Sequence, residues 1–149
     1  MKIDFGSGYN PKEGYSTCDI TTSPFLDFIS YDNKIYSREG EVKENTVDKI
    51  RCRNVLHHVK DLQALLTNFY RYLKIGGELE IIDCAKEFYP QNVILDNIWY
   101  RWFDDGKRGV WYSTEYRSFI PYLQKIGFVI KEHKIINEKE NFLCEKIIL

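Results

Sequence analysis

Nowhere does the chain carry the run of ~20 apolar residues that a membrane-spanning helix needs. Its first residues pass straight into a strand pattern, so no signal peptide is expected either. An excess of one charge is also missing: 21 Lys and Arg stand against 22 Asp and Glu, a formal net charge of -1. The two signs are mixed along the chain, which leaves no basic stripe to follow a phosphate backbone, and no nucleic-acid partner is expected. The four cysteines, Cys18, Cys52, Cys84 and Cys144, form no CxxC pair and each falls within a strand-like run. That pattern reads as buried, reduced thiols in a cytoplasmic protein. Only three histidines occur, with His133 far from His57 and His58, and no HxxxH or Cys/His spacing points to a metal site. Repeats and low-complexity linkers are absent as well. The 149 residues therefore read as one domain, 1–149, large enough to bury a core without staples.

What is present is an alternation of strand and helix patterns. Residues 2–5 and 16–20 read as short strands bounded by Gly, Asn and Pro. "SPFLDFIS", residues 23–30, reads as a short helix capped by Ser23 with Pro24 at its first position. A weak strand is expected at 34–37 and a polar loop over 38–46, followed by a strand in "TVDKIRC", 46–52. Leu62, Leu65, Leu66, Phe69, Tyr70 and Leu73 then recur at the helical period, with Asp61 as cap and Gly76-Gly77 as stop. "ELEIIDC", 78–84, completes a strand–helix–strand unit and hence a parallel sheet. The aromatic-rich residues 88–112 hold all three tryptophans, and Val93, Ile98, Trp99, Trp102 and Phe103 fit one face of a helix after Pro90. Ser113 is placed to cap a helix that runs to "QKIGF" and is kinked or restarted at Pro121. "GFVIKEHKII" and "NFLCEKIIL", joined by the polar "NEKE", close the chain as an antiparallel hairpin.

In an open α/β sheet, ligands bind at the carboxyl ends of the strands where the strand order reverses. There the chain offers Gly6 and Gly8 after the first strand and Asp19 at the end of the second. The glycines allow a tight turn with close backbone approach. The aspartate is suited to accept both hydroxyls of a ribose. A dinucleotide site needs a third glycine and a helix facing the pyrophosphate, with the acid ~20 residues further on. Here Asp19 follows Gly8 by eleven residues interrupted by Asn10, Pro11 and Gly14, so no such helix fits. A phosphate-free adenosine ligand loses little from that omission, which favours S-adenosylmethionine (SAM) over NAD or FAD.

The segments "IDFGSGYNPKEGYSTCDI", "TVDKIRCRNVLHHVKDL", "YRYLKIGGELEII" and "LQKIGF" occur in the order of a class I SAM-dependent methyltransferase. The chain most resembles the short group called methyltransferase type 11. The resemblance implies an α/β, Rossmann-like three-layer sandwich: a mostly parallel sheet with a C-terminal antiparallel hairpin, in a minimal version lacking the first helix. It further implies that Asp4, Gly6 and Gly8 meet the methionine end of SAM. Asp19, with Ile20 beside it, would hold the ribose. Arg53 and Asn54 would approach the sulfonium, and His57 and His58 would occupy the family's LHH position. Residues 38–41 are candidates for the adenine. The chain departs from the family at Ile75, where a proline is usual, and it is expected to have no segment ahead of the first strand.

Plainer readings stand beside these. Gly6 and Gly8 also serve as simple turn glycines, and Asp19 as a solvated strand-end acid. His57 is a candidate base, since histidine titrates near neutrality, and equally a residue that orients the loop; His58 is a candidate for cofactor contact or catalysis. Tyr100, Asp104 and Tyr112 are candidate substrate contacts within the aromatic segment, which reads as core packing, a substrate lid or a homodimer surface. The expected activity is methyl transfer to a small molecule, for example a sugar or glycan precursor. The alternative is a degenerate SAM-binding scaffold acting through its Trp-rich surface.

Overall fold

Short apolar alternations fold into nine strands of a single sheet in the computed structural model, which describes residues 1–20, 25–56, 59, 61–84, 119–137 and 139–148. The strands are β1 (Lys2–Phe5), β2 (Ser16–Asp19), β3 (Phe28–Tyr31), β4 (Lys34–Ser37), β5 (Gly40–Glu41), β6 (Val47–Arg53), β7 (Leu73–Cys84), β8 (Val129–Ile136) and β9 (Lys139–Glu145). Among the described residues two helices accompany them, α1 (Leu62–Tyr72) and α2 (Phe119–Ile126). The sheet order is β5-β4-β3-β2-β1-β6-β7-β9-β8. Strands β3, β2, β1, β6 and β7 run parallel, and β8 and β9 form the antiparallel hairpin, with β9 against β7. The chain thus reverses its direction of travel across the sheet between β1 and β6, which marks the switch point of a doubly wound fold.

The register separates two faces. Cys18, Phe5, Cys52, Ile81, Phe142 and His133 form one lateral row. Phe69 of α1 meets Phe5 edge-on at 5.0 Å, and Phe119 of α2 meets Phe142 at 5.9 Å, so both helices cover this face. Leu62, Leu65, Leu66, Phe69 and Tyr72 of α1 are buried there, each contributing about 1.5–3 kcal/mol. The row behind it is Thr17, Asp4, Arg51, Glu80, Leu143 and Glu132. On that face basic β6 is ion-paired with acidic β7: Lys49 lies 3.5 Å from Glu80 and Arg51 Nε 3.0 Å. Among the described residues no helix packs on it, in keeping with its polar composition; a parallel sheet covered on both faces is apolar on both. The described residues account for two of the three expected layers.

Three local readings of the sequence are corrected. Described residues 25–30 hold no helix: Phe28 enters β3 directly. Asp27 accepts hydrogen bonds from the Thr17 N–H and hydroxyl, both at 3.0 Å, while its own N–H donates to Thr17 Oγ1 at 2.8 Å. This exchange docks the segment on β2 and outweighs the local helix signal; residues 21–24 lie outside the described residues. The polar stretch 38–46 contains β5, paired with β4. Finally, α1 ends at Tyr72 rather than at the glycine pair. Tertiary partners take its last carbonyls, so no glycine cap is needed. The N–H groups of Asn45 and Thr46 donate to Arg71 O and Tyr72 O, and buried Lys146 donates to Tyr70 O and Leu73 O. Gly76 and Gly77 instead turn the start of β7 against Lys146, through Gly76 N–H to Lys146 O and Lys146 N–H to Gly77 O.

Other expectations agree with the described structure. Asp61 caps α1 by accepting from Ala64 N–H at 3.1 Å. Pro121 lies within α2, whose described residues run to Ile126, so the helix ends just before the "GF" of "QKIGF". All four cysteines lie in strands, and Cys18, Cys52 and Cys144 are buried and free. Burial pushes the thiols up, Cys144 to about 12. The aromatic segment 88–112, with Tyr100, Asp104 and Tyr112, lies outside the described residues, as does Ser113.

Candidate functional site

The β1–β2 connection, residues 6–15, forms no helix, because Gly6, Gly8, Pro11 and Gly14 deprive it of helix formers. It is held instead by specific bonds. The N–H groups of Gly6 and Ser7 both donate to Cys18 O, at 2.8 and 3.2 Å, and Ser7 Oγ accepts from Cys18 N–H at 3.3 Å. Asp4, buried on the polar face, accepts from Lys12 N–H at 2.8 Å and so ties down the far part of the loop. Tyr15 sits beneath the ammonium groups of Lys2 and Lys12, at 5.7 and 5.8 Å.

At the carboxyl end of β2, Asp19 Oδ2 accepts from Gly8 N–H at 2.8 Å and Oδ1 from Ile20 N–H at 2.7 Å. Each oxygen therefore spends one acceptor site on the backbone. A carboxylate has about four such sites, so each oxygen retains one, which is the donor-accepting geometry a vicinal diol requires. Gly8 adopts φ +59, and the space where a Cβ would stand is empty out to Asp19 Oδ2 at 4.0 Å. The loop thus presents bare backbone beside the acid, as a close-fitting ligand needs. Exposed Tyr9, Ile20 and Phe25 stand around it, the two rings edge-to-face at 6.5 Å.

Opposite lies the end of β6. Arg53 and Asn54 are exposed, and Asn54 takes φ +53 while its N–H donates to Ile82 O at 2.8 Å. Lys139 Nζ donates to Asn54 Oδ1. Val55 seats against Gly6: a Cβ on Gly6 would stand 2.6 Å from Val55 Cγ2. This contact brings the β1 and β6 loops together at the switch point. Leu56 is buried, and its N–H donates to Asp83 Oδ2 at 3.1 Å.

The structure therefore gathers Asp4, Gly6, Gly8, Asp19, Ile20, Arg53 and Asn54 around the carboxyl ends of β1, β2 and β6. His57 and His58 lie outside the described residues. Residues 38–41 are carried away from this end: the β3–β4 hairpin turns at Asp32-Asn33, and β4 returns to the amino ends of the strands. The adenine expectation for them is thereby corrected. Arg38, Glu39 and Glu41 line a different groove of about 680 Å³ with Met1, Leu26 and Phe28, at the end of the sheet remote from the glycine loop. Val55, Asp83 and Lys139 were missed from sequence. Asp83 did carry a signal, an acid closing an apolar strand just as Asp19 does. Lys139 carried none, since it meets Asn54 across 85 positions of sequence. Among the described residues no cluster of His, Cys, Asp or Glu is placed to hold a metal, and no helix is long and apolar enough to cross a membrane.

Comparison with known proteins places the chain in a family. A family model described as a methyltransferase domain matches residues 6–133, without singling out the type 11 group. Phosphoethanolamine N-methyltransferase 1 of Triticum aestivum is 37% identical over 65 residues, a match that covers 43% of this chain and 13% of the wheat protein. The protein solved in complex with the Haloferax volcanii Trm112 methyltransferase activator superimposes with TM-score 0.65 at 12% identity, over 99% of this chain and 82% of that one. The 1,6-didemethyltoxoflavin N1-methyltransferase of Burkholderia thailandensis, solved with its substrate and S-adenosylhomocysteine, gives TM-score 0.61 at 11% identity, over 99% of this chain and 71% of that one. With most of its length matched by the family model, and its fold shared by SAM-dependent methyltransferases of known structure, the chain belongs to the methyltransferase domain family.

Proposed function

We propose that the protein, one domain over residues 1–149, binds SAM at the carboxyl ends of β1, β2 and β6 and transfers its methyl group to a small molecule. The observation that carries the reading is Asp19, oriented by two backbone N–H groups beside the bare Gly8 turn. In this reading Asp19 accepts the ribose hydroxyls, and the apolar rim of Tyr9, Ile20 and Phe25 borders the purine. The Gly6–Gly8 turn admits the amino-acid end close to the backbone, while Arg53 and Asn54 wall the side towards the sulfonium. Asp4 supports the site by fixing Lys12 and the loop. When bound, SAM supplies an already activated methyl group, so the chain's task is to orient donor and acceptor and to exclude water. A base is needed only for an acceptor that must lose a proton, and His57 is assigned that role; His58, Tyr100, Asp104 and Tyr112 are assigned to ligand contacts.

The small-molecule class is supported by relatives whose names state their acceptors, phosphoethanolamine and 1,6-didemethyltoxoflavin. The names of these relatives do not support a sugar or glycan precursor, and the alternative, a degenerate SAM-binding scaffold acting through its Trp-rich surface, is not favoured. The test is thermal denaturation with ligands. S-adenosylhomocysteine raises the melting temperature, NAD does not, and Asp19→Ala removes the shift. Absence of any shift with SAM or its product would sink the reading.

A further inference from the structure

The carboxyl group of Asp83 is fully buried at the end of β7, on the face otherwise occupied by Leu79, Ile81 and the helices. A carboxyl group in such surroundings is costly unless its hydrogen bonds repay the lost water. It accepts the N–H of Leu56 at 3.1 Å, and Leu56 is itself fully buried. That N–H belongs to the loop leaving β6, which precedes α1 and cannot be satisfied by either element.

The consequences run forward along three residues. Asn54 is held in the left-handed region at φ +53 by its N–H to Ile82 O and its side chain to Lys139. Leu56 is held by Asp83. Val55 between them is therefore fixed at both ends, and its stiff, β-branched side chain occupies the position that a Cβ on Gly6 would need. Gly6 in turn is bonded to Cys18 O, immediately before Asp19. From these contacts we infer that Asp83 is a positioning residue for the S-adenosyl site: through Leu56 and Val55 it sets where the β6 loop meets the glycine turn. It touches no ligand itself. The inference rests on the ligand reading above, since it assigns Asp83 a role only in shaping that crevice.

Removal of the carboxyl group leaves a buried donor without its acceptor, and the loop relaxes to find water. Asparagine retains an acceptor oxygen of the same reach. Isothermal titration of wild type, Asp83→Asn and Asp83→Ala with S-adenosylhomocysteine separates the cases. The expected result is that Asp83→Ala binds about tenfold or more weakly and Asp83→Asn within about threefold of wild type. Lys146→Met, which destabilises the protein from the opposite end of the sheet, leaves the affinity unchanged and so controls for general loosening. Equal affinity of wild type and a folded Asp83→Ala overturns the inference, as does an Asp83→Asn as weak as the alanine variant. Should Asp83→Ala not fold, amide hydrogen exchange in wild type decides: slow exchange at Leu56 supports the role, and exchange at the rate of an open loop overturns it. A wild type that binds no S-adenosylhomocysteine overturns the ligand reading itself, and this role with it, a result distinct from equal binding by the variants.

Discussion

Alanine at Gly6 would meet two separate obstacles, and a small series of variants resolves them. The first is conformational. Gly6 adopts φ +79, and an L-residue in the left-handed region pays about 1–2 kcal/mol. The second is steric. The new Cβ would stand 2.6 Å from Val55 Cγ2 and 2.8 Å from Val55 Cβ, closer than real Cβ contacts come. Val55 cannot swing aside, because its rotamer is restricted and its backbone is pinned on both sides, so the overlap adds about 1–3 kcal/mol. Gly14 supplies the control: it has φ +84 and nothing within 4 Å of where a Cβ would stand, so alanine there meets only the first obstacle. Gly8, with φ +59 and its nearest neighbour at 4.0 Å, should behave as Gly14 does for stability. Urea denaturation is therefore expected to show losses of about 1–2 kcal/mol for Gly14→Ala and Gly8→Ala, and about 2–5 kcal/mol for Gly6→Ala. In a Val55→Ala background the contact at 2.6 Å disappears while the one at 2.8 Å remains, so part of the excess returns. A Gly6→Ala variant within about 0.5 kcal/mol of Gly14→Ala would refute the packing of the two loops, since that margin is the ordinary error of additivity.

Two further outcomes concern the opposite end of the sheet. Lys146 Nζ donates to Asn45 Oδ1, Tyr70 O and Leu73 O at 2.8–2.9 Å, and burial holds its pKa below the usual lysine range. Lys146→Met removes a charged donor from the end of α1 and is expected to cost about 2–3 kcal/mol in the same urea assay; a loss near zero would show that those carbonyls have other partners. Glu41 is held below the ordinary glutamate value by hydrogen bonds from the Tyr72 hydroxyl and Arg71. Its contribution is thus complete above the unfolded value and lost as pH falls through the lower folded one, so the urea midpoint falls with acidification. Glu41→Gln should flatten that acid dependence, and an unchanged slope would count against the linkage.

Much of the site was legible because its signals are local. A glycine turn whose last glycine stands only eleven residues ahead of an acid excludes a pyrophosphate helix whatever the rest of the chain does, and the structure shows the resulting loop. The periodicity of α1 and the alternation of β6 likewise follow from each residue's own preference for water or core. Residues 25–30 misled because the local signals, a cap and a proline, were weaker than the exchange of hydrogen bonds between Asp27 and Thr17. The end of α1 misled for a similar reason, as Lys146 lies 73 positions beyond Leu73 in sequence.

The sequence by itself thus determined the parallel order of strand and helix, the phosphate-free character of the first loop, and the acid beside it. Tertiary structure alone decided which loops touch. Val55 reaches Gly6, Asp83 reaches Leu56 and Lys139 reaches Asn54 only because β1, β6, β7 and β9 lie side by side with their site ends aligned. Such contacts depend on register between strands far apart in the chain, and no local preference of a residue encodes a register.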